Sequence, residues 1–377
     1  MSVKKIAVIG AGNGGHAMAA HKTLDGFEVS LFELPRFANN IRHVLDTGHI
    51  TIEWPERKET VTVHHVTTDI ATALKGAEIV FVVAPAFGHQ TMAEVCAPYV
   101  EDDQIIILMP GSGGSLEFAY IFKAQGVDKD ILLCECCTLP YGARLVGPGH
   151  VLIHIEAVTL PTGVFPAHHT EKVIAMLQEV YPAIVPTANV LEAAINNPNP
   201  IVHPAAALLS ATRIEYSAGE FYLYKEGMTP AVARVYEALE QERLALLDRL
   251  GLRLYHCAGL DARGYNLGET LEECHNRILN TSMDAAFGVD SIKAGIQMKG
   301  PASMQDRFVT EDVPYGLVLL STLGQLLDIP TPISDAIVNL SGAINRIDYW
   351  AQGRGVNELG LGEMNLEKIQ TFLNSGL

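Results

Sequence analysis

The chain is poor in the features that mark membrane, nucleic-acid-binding or secreted proteins. Its 377 residues include 26 basic and 43 acidic side chains, which gives a formal net charge of −17. Non-specific binding to nucleic acid or to anionic membranes requires basic patches, so this balance disfavours both. No apolar run approaches the ~20 residues that span a bilayer, and the N-terminus predicts a strand instead of a signal peptide. We therefore expect a cytoplasmic protein with no nucleic-acid or membrane partner.

Cysteine is also scarce. The chain has six cysteines, and three of them, Cys134, Cys136 and Cys137, lie too close together to cross-link distant segments. A zinc site usually needs a second Cys or His couple, which this cluster lacks. We therefore predict a buried apolar strand at this position, with no disulfide framework and no metal site. Reduced thiols agree with a cytoplasmic location.

Hydrophobic patterning divides the chain into two parts. From Ile6–Ile9 to Val151–Glu156, short apolar runs alternate with helical patterns, which is typical of βαβ units. From about Leu191 onwards, helical periodicity dominates. The predicted fold class is α/β: a Rossmann-type doubly wound parallel sheet over residues 1–186, followed by a mainly α-helical domain over residues 187–377.

Local patterns predict individual strands and helices. Thr60–Val66 alternates in a way that predicts one extra strand. Ala205–Ser217, Pro230–Leu250 and Leu317–Leu327 have helical periodicity. Thr229 followed by Pro230 predicts the N-cap and first residue of the second of these helices.

A dinucleotide fingerprint opens the chain. Gly10-Ala11-Gly12-Asn13-Gly14-Gly15 matches G-x-G-x-x-G between the first predicted strand and the first helix. Gly10 permits the tight turn, Gly12 lets the backbone approach a pyrophosphate, and Gly15 lets helix and strand pack closely. The N-terminus of the helix offers N–H groups and a positive dipole end to phosphates. We predict that Gly10, Gly12, Asn13, Gly14 and Gly15 bind the cofactor.

Glu33 ends the second predicted strand, where the fingerprint expects an acid that binds the ribose 2′-hydroxyl. A carboxylate there repels a 2′-phosphate, so we expect NAD, although the nearby Arg36 leaves NADP open.

Further cofactor contacts are expected from the loops that follow two buried strands, since ligands bind at the carboxyl ends of strands in open α/β sheets. The residues predicted there are Pro85, Ala86, Pro110 and Gly111. His89 is a weaker candidate for the same site.

The candidate acid–base residues lie in the second half of the chain. His203 follows a turn rich in proline and asparagine at the start of an apolar helix, and a neutral-range imidazole is the usual dehydrogenase acid/base. The run from Arg307 to Asp312 supplies carboxylates that can orient a histidine. It also supplies an arginine that can hold a substrate carboxylate.

These segments resemble the octopine/nopaline dehydrogenase (opine dehydrogenase) family. His203 lies in an Asn-Pro-x-x-His-Pro motif, and Arg307 precedes a Glu-Asp-Val-Pro motif that contains Asp312. Leu139-Pro140-Tyr141-Gly142-Ala143-Arg144 is similar to the family segment Leu-Pro-Tyr/Trp-Ala-Cys-Arg, with Gly142 and Ala143 at the Ala and Cys positions.

The resemblance implies an NAD(P)-dependent oxidoreductase that condenses an α-keto acid, such as pyruvate, with the amino group of an amino acid. It implies His203 as the acid/base and Asp312 as its partner, with Arg307, Arg144 and Tyr141 as substrate residues. The expected partners are these small molecules. The sequence leaves open whether the protein forms a homodimer.

Two other functions compete with this interpretation. Ketopantoate reductases and glycerol-3-phosphate dehydrogenases have a similar layout but use a lysine in the helical domain. The lysines after residue 190 are Lys225, Lys293, Lys299 and Lys368. A non-catalytic dinucleotide sensor would need no acid/base pair, so separation of His203 from Asp312 would favour it.

Overall fold

The computed structural model describes residues 3–255, 269–274 and 299–376. It divides into two compact units: Met1–Ala193 with Leu373–Leu377, and Ala194–Phe372. The predicted boundary at Pro186 lies in the last strand of the first unit.

Twelve strands are described, and all of them belong to the first unit. In chain order they are β1 (Lys5–Ile9), β2 (Glu28–Phe32), β3 (His49–Trp54), β4 (Arg57–Thr62), β5 (His65–Thr67), β6 (Ile79–Val82), β7 (Ile105–Leu108), β8 (Leu132–Cys136), β9 (Tyr141–Gly147), β10 (His150–Glu156), β11 (Leu160–Phe165) and β12 (Ile184–Pro186).

Eight of these strands form one sheet in the order β12-β11-β8-β7-β6-β1-β2-β5. Every neighbouring pair is parallel except β11 with β8. The central strands β1, β6 and β7 are apolar and almost wholly buried, as expected for a sheet covered on both faces. Cys134 and Cys136 are buried in β8, which confirms the apolar strand predicted there. The Rossmann-type sheet is therefore confirmed.

A second, four-stranded sheet has the order β4-β3-β10-β9 and was not predicted. The single strand predicted over Thr60–Val66 is wrong, because β4 ends at Thr62 and β5 begins at His65 in a different sheet. Val63 ends the pairing with β3 by donating its N–H to the Gly48 carbonyl oxygen at 2.9 Å. The chain then turns at His64, and β5 pairs with β2.

The helices alternate with the strands in the first unit and dominate the second. In chain order they are α1 (Asn13–Leu24), α2 (Arg42–Thr47), α3 (Ile70–Leu74), α4 (His89–Cys96), α5 (Gly114–Ala124), α6 (Thr170–Val180), α7 (Val190–Ile195), α8 (Asn199–Leu209), α9 (Ala211–Ser217), α10 (Leu223–Glu226), α11 (Pro230–Leu250), α12 (Arg307–Thr310), α13 (Val318–Leu327), α14 (Pro332–Asn345), α15 (Tyr349–Gln352) and α16 (Leu366–Ser375). Short 3-10 turns cover Pro35–Ile41, Ala86–Gly88 and Ala167–His169, and a π-helical turn covers Val313–Leu317. Among the described helices, none combines the length and hydrophobicity needed to cross a bilayer.

The long helix α11 organises the second unit. It begins as predicted, with Thr229 accepting a hydrogen bond from the Val232 N–H at 3.4 Å and Pro230 in the first position. The helix predicted over Ala205–Ser217 is instead two helices, α8 and α9, because Ser210 leaves the helical conformation at φ −105° and ψ 9°.

A buried ion pair on α11 supports the turn before α8. The Arg243 and Glu240 side chains are both 0% exposed and pair at 2.6 Å. The Arg243 guanidinium also donates to the backbone carbonyl of Asn197 at 3.3 Å. The turn that leads into the helix of His203 is thus fixed from the interior, as expected where a functional group is carried on a rigid element.

Candidate active site

The glycine loop of the first unit has the geometry of a phosphate cradle. Gly10 adopts φ +100°, and a Cβ there would lie 2.5 Å from the Val83 carbonyl oxygen. A Cβ on Gly15 would lie 1.8 Å from the Gly10 carbonyl oxygen. Around Gly12, by contrast, no described atom lies within 4 Å of such a Cβ. The loop is closed on the protein side and open at Gly12, where a pyrophosphate can approach the backbone at the start of α1.

The segment that contains β9 lies along the first turn of α1. The Asn13 side-chain oxygen accepts a hydrogen bond from the Leu145 N–H at 2.9 Å. A Cβ on Gly14 would lie 2.9 Å from Cδ2 of Leu139. Arg144, the residue before Leu145, is exposed, and its Nη1 donates to the Ala143 carbonyl at 3.0 Å.

Glu33 is fixed against the glycine loop. One carboxylate oxygen accepts from the Ala11 N–H at 2.9 Å, and the other accepts from the Leu34 N–H at 2.7 Å. These bonds hold a negative charge at the end of β2, where a ribose hydroxyl would bind. Arg36 is exposed in the following turn, and its guanidinium lies 5.0 Å from the centre of the Phe37 ring.

The other predicted cofactor loops follow β6 and β7, the two strands next to β1 on the same side. Pro85 and Ala86 lead into the turn before α4, and Pro110 and Gly111 precede α5. His89 is fully buried, and a Cβ on Gly114 would lie 2.3 Å from its Nδ1. His89 is thus packed beneath the second loop.

Glu135 shapes the loop after β7 and was missed by the sequence analysis. Its side chain is 0% exposed, and its carboxylate accepts hydrogen bonds from the Gly113 N–H at 2.9 Å, the Ser115 N–H at 3.1 Å and the Ser115 hydroxyl at 2.6 Å. These donors lie at the start of α5, so an internal carboxylate occupies them. The signal in the sequence was a single charge inside an otherwise apolar strand.

Replacing Glu135 with alanine is expected to lower the free energy of unfolding by at least about 2 kcal/mol, because three buried donors lose their acceptor. Urea denaturation measures the change. Glu56→Ala, an exposed glutamate in the turn between β3 and β4, is the matched control. Equal stability of the two variants would contradict the role assigned to Glu135.

The second unit pairs His203 with Asp312. His203 Nδ1 lies 2.7 Å from Asp312 Oδ2, and their side chains are 14% and 11% exposed. The chain separates these residues by 109 positions. A Cβ on Gly316 would lie 2.2 Å from Cγ of Pro200, so glycine allows the segment after Asp312 to pack closely on α8.

Two aromatic residues support the histidine. The Phe308 ring stacks on the imidazole with centroids 3.9 Å apart and planes 12° apart. The Tyr236 hydroxyl donates to the backbone carbonyl of Val202, the residue before His203. Burial raises the pKa of Tyr236 well above its ordinary value, which keeps this hydroxyl a donor. The plane of the His203 imidazole and the backbone at Val202 are therefore both fixed, next to a nearly buried His203–Asp312 pair.

The predicted substrate residues lie in different environments. Arg307 is on α12 beside Phe308, with its side chain 67% exposed and its Nε 2.7 Å from Glu311. Arg144 and Tyr141 belong to the first unit. The Tyr141 hydroxyl is buried between the Tyr181 hydroxyl and His21 Nδ1. This environment favours a structural role, and we leave Tyr141 out of the proposed site.

The lysines of the competing interpretation do not form a comparable site in the described residues. Lys225, Lys299 and Lys368 are exposed, and Lys299 pairs with Glu220 at 2.7 Å. Lys293 lies outside the described residues. Separation of His203 from Asp312 would have favoured a non-catalytic sensor, whereas the two side chains are in contact.

Comparison with known proteins decides the family. An opine dehydrogenase from Arthrobacter sp. (strain 1C) is 31% identical to the chain over 369 residues, which cover 98% of each sequence. The chain belongs to the opine dehydrogenase family. Residues 186–345 match the α-helical domain of NAD/NADP octopine/nopaline dehydrogenases. Residues 5–111 match the N-terminal part of NAD-dependent glycerol-3-phosphate dehydrogenases, so the resemblance to that rival is found in the dinucleotide-binding half.

Solved structures of other opine dehydrogenases share the fold. Octopine dehydrogenase in complex with NADH and agmatine matches with a TM-score of 0.74 at 20% identity, over 98% of both chains. Yersinopine dehydrogenase with NADP⁺ bound matches with a TM-score of 0.69 at 16% identity, over 99% of this chain and 98% of that one. As a member of the opine dehydrogenase family, the chain is an NAD(P)-dependent oxidoreductase that acts on CH–NH groups.

Proposed function

We propose that the chain catalyses the reductive condensation of an α-keto acid, such as pyruvate, with the amino group of an amino acid. The product is a secondary amine that carries two carboxylates. The observation that carries this proposal is the 2.7 Å contact between His203 and Asp312 in the family's helical domain. When bound, the dinucleotide supplies the hydride that reduces the C=N bond.

The residues proposed to hold the dinucleotide are those of the glycine loop, with Glu33 at the ribose. The open backbone at Gly12 and the fixed carboxylate of Glu33 fit this group. The loops at Pro85, Ala86, Pro110 and Gly111 are proposed as further contacts.

His203 is proposed to move the protons. A carboxylate only accepts hydrogen bonds, so Asp312 places the proton of the neutral ring on Nδ1 and makes Nε2 the basic atom. Nε2 takes a proton from the ammonium of the amino acid, and the resulting amine attacks the keto carbon to form the C–N bond. Attack leaves an oxyanion and a protonated secondary amine, and a proton passes from that amine to the oxyanion to give the neutral carbinolamine. Nε2 then returns its proton to the carbinolamine hydroxyl, which leaves as water and gives the protonated C=N bond that the hydride reduces. Asp312 stabilises the ring while it is charged, as in a hydrolase triad.

Arg307 and Arg144 are proposed to bind substrate carboxylates. A guanidinium presents five N–H donors in a planar fork that matches a carboxylate. The ion pair of Arg307 with Glu311 uses its Nε, which leaves the two Nη groups for a ligand.

NADH oxidation in the presence of pyruvate and a panel of amino acids tests the proposed function. We expect oxidation only when both substrates are present, and we expect it to depend on which amino acid is supplied. Oxidation that proceeds equally without any amino acid would favour a keto acid reductase of the competing type.

We expect kcat/KM for NADH to exceed that for NADPH by about tenfold or more, because placing a 2′-phosphate against a carboxylate costs several kcal/mol. Glu33→Gln should narrow this ratio, because it removes the charge and keeps the shape. Glu28→Gln, which changes an exposed residue at the start of β2, should leave the ratio as it is in the wild type. A wild-type preference for NADPH would contradict this assignment and give Arg36 the role of binding the phosphate.

A further inference from the structure

Tyr224, like Phe308, has its ring near the imidazole of His203. No sequence motif distinguishes it. It lies on α10, within the run Phe221-Tyr222-Leu223-Tyr224. Its ring centroid is 6.3 Å from that of His203, with the two planes 47° apart. The residue is half-buried.

The environment keeps the Tyr224 hydroxyl protonated. Burial raises the pKa of Tyr224, and the carboxylates of Asp312 and Asp306 raise it further. Asp312 is the partner of His203, and Asp306 caps α12 by accepting the Phe308 N–H at 3.1 Å. A neutral O–H group is therefore present beside the acid/base pair throughout the neutral pH range.

No residue in the described part of the chain forms a hydrogen bond with this hydroxyl. Other buried tyrosine hydroxyls do have partners: that of Tyr236 donates to the Val202 carbonyl, and that of Tyr141 pairs with that of Tyr181. Partially buried phenols normally bond to protein or to a ligand. Phe308, which stacks on the imidazole, has no polar side-chain atom, and Arg307 is already proposed to bind a substrate carboxylate.

The chemistry of the condensation indicates which atom this donor serves. When the amine attacks the keto carbon, negative charge develops on the carbonyl oxygen, and His203 must reach that same oxygen to protonate it. A neutral donor fixed beside the imidazole can stabilise the developing charge without a proton of its own being lost. We propose that the Tyr224 hydroxyl donates a hydrogen bond to the carbonyl oxygen of the keto acid, an assignment that rests on the proposed function.

Tyr224→Phe tests the assignment, with Tyr222→Phe as the matched control, since Tyr222 is on the same turn and exposed. Removing a donor to a developing oxyanion typically costs about 10²–10³ in rate. We expect kcat/KM for the keto acid to fall by about 10² in Tyr224→Phe, while the KM for the amino acid and the affinity for NADH stay as they are in the wild type. Wild-type rates in Tyr224→Phe would overturn the assignment.

A binding measurement separates this assignment from the proposed function. Calorimetric titration of the enzyme–NADH complex with pyruvate and with propionate requires no turnover, so it is informative even if no condensation product forms. Propionate keeps the carboxylate and lacks the carbonyl oxygen. We expect Tyr224→Phe to weaken pyruvate binding and to leave propionate binding as it is in the wild type. Equal weakening for both ligands, or for neither, would overturn the assignment. Failure of the wild type to condense any pair of substrates would instead count against the proposed function.

Discussion

Replacing His203 with alanine is expected to lower kcat by about 10²–10⁴, the usual contribution of a positioned general acid/base. Deprotonation of the ammonium and protonation of the carbinolamine hydroxyl both depend on Nε2 of this ring. Asp312 holds the other ring nitrogen, Nδ1, at 2.7 Å. The affinity for NADH should stay near the wild-type value, because His203 is not among the residues proposed to hold the dinucleotide. Steady-state rates and a fluorescence titration with NADH measure the two quantities separately.

The matched control for this variant is His64→Ala, which removes an exposed histidine in the turn between β4 and β5. Asp312→Asn should also cost activity although it preserves the shape, because an amide does not stabilise an imidazolium. If the two side chains act as one unit, the double variant should be little slower than the slower single variant. Full activity in His203→Ala would remove the proposed mechanism, and strict additivity of the two losses would mean that the residues work independently.

Gly12→Ala is expected to weaken NADH binding by about ten- to a hundredfold, the loss that accompanies removal of one charge-assisted hydrogen bond. The added methyl meets no described protein atom within 4 Å, so folding stability should not change. It would occupy the space through which a pyrophosphate reaches the backbone. The dissociation constant of NADH and the melting temperature are the two measurements.

Gly147→Ala is the control for this substitution, because Gly147 is not part of the glycine loop and its methyl would meet only Cβ of His150, at 3.8 Å. Gly15→Ala makes the complementary case. Its methyl would lie 1.8 Å from the Gly10 carbonyl oxygen, so it should damage both folding and binding. Unchanged NADH affinity in a folded Gly12→Ala variant would mean that the cofactor does not approach the backbone at this position.

The features that the sequence predicted correctly are those fixed by local backbone requirements. Gly10 needs a positive φ and Gly15 needs contact with the preceding turn, and both constraints act within a few residues. The start of α11 is another case, since Thr229 and Pro230 satisfy the first turn by themselves. The His203–Asp312 pair is different, because its residues are 109 positions apart in the chain and the family resemblance was needed to single out Asp312 as the partner.

What the sequence did not predict depends on partners brought together by the fold. The four-stranded sheet combines β3 and β4 with β9 and β10, which come from a later part of the chain, so no local pattern reveals the pairing. Glu135 was hidden because its donors, Gly113 and Ser115, are some 20 residues earlier. Tyr224 resembles its neighbour Tyr222 in sequence, and only the position of its ring relative to His203 distinguishes the two.

The identity of the product distinguishes reductive condensation from direct reduction of the keto acid. Wild-type enzyme would be incubated with pyruvate, a nitrogen-15-labelled amino acid and NADH that carries deuterium at both C4 positions, and the products analysed by mass spectrometry and NMR. We expect a secondary amine that retains the labelled nitrogen and has one deuterium on the former keto carbon. His203→Ala should form little of this product in the same time. A deuterated 2-hydroxy acid would contradict the proposed function, because it would show direct reduction of the keto acid instead of condensation.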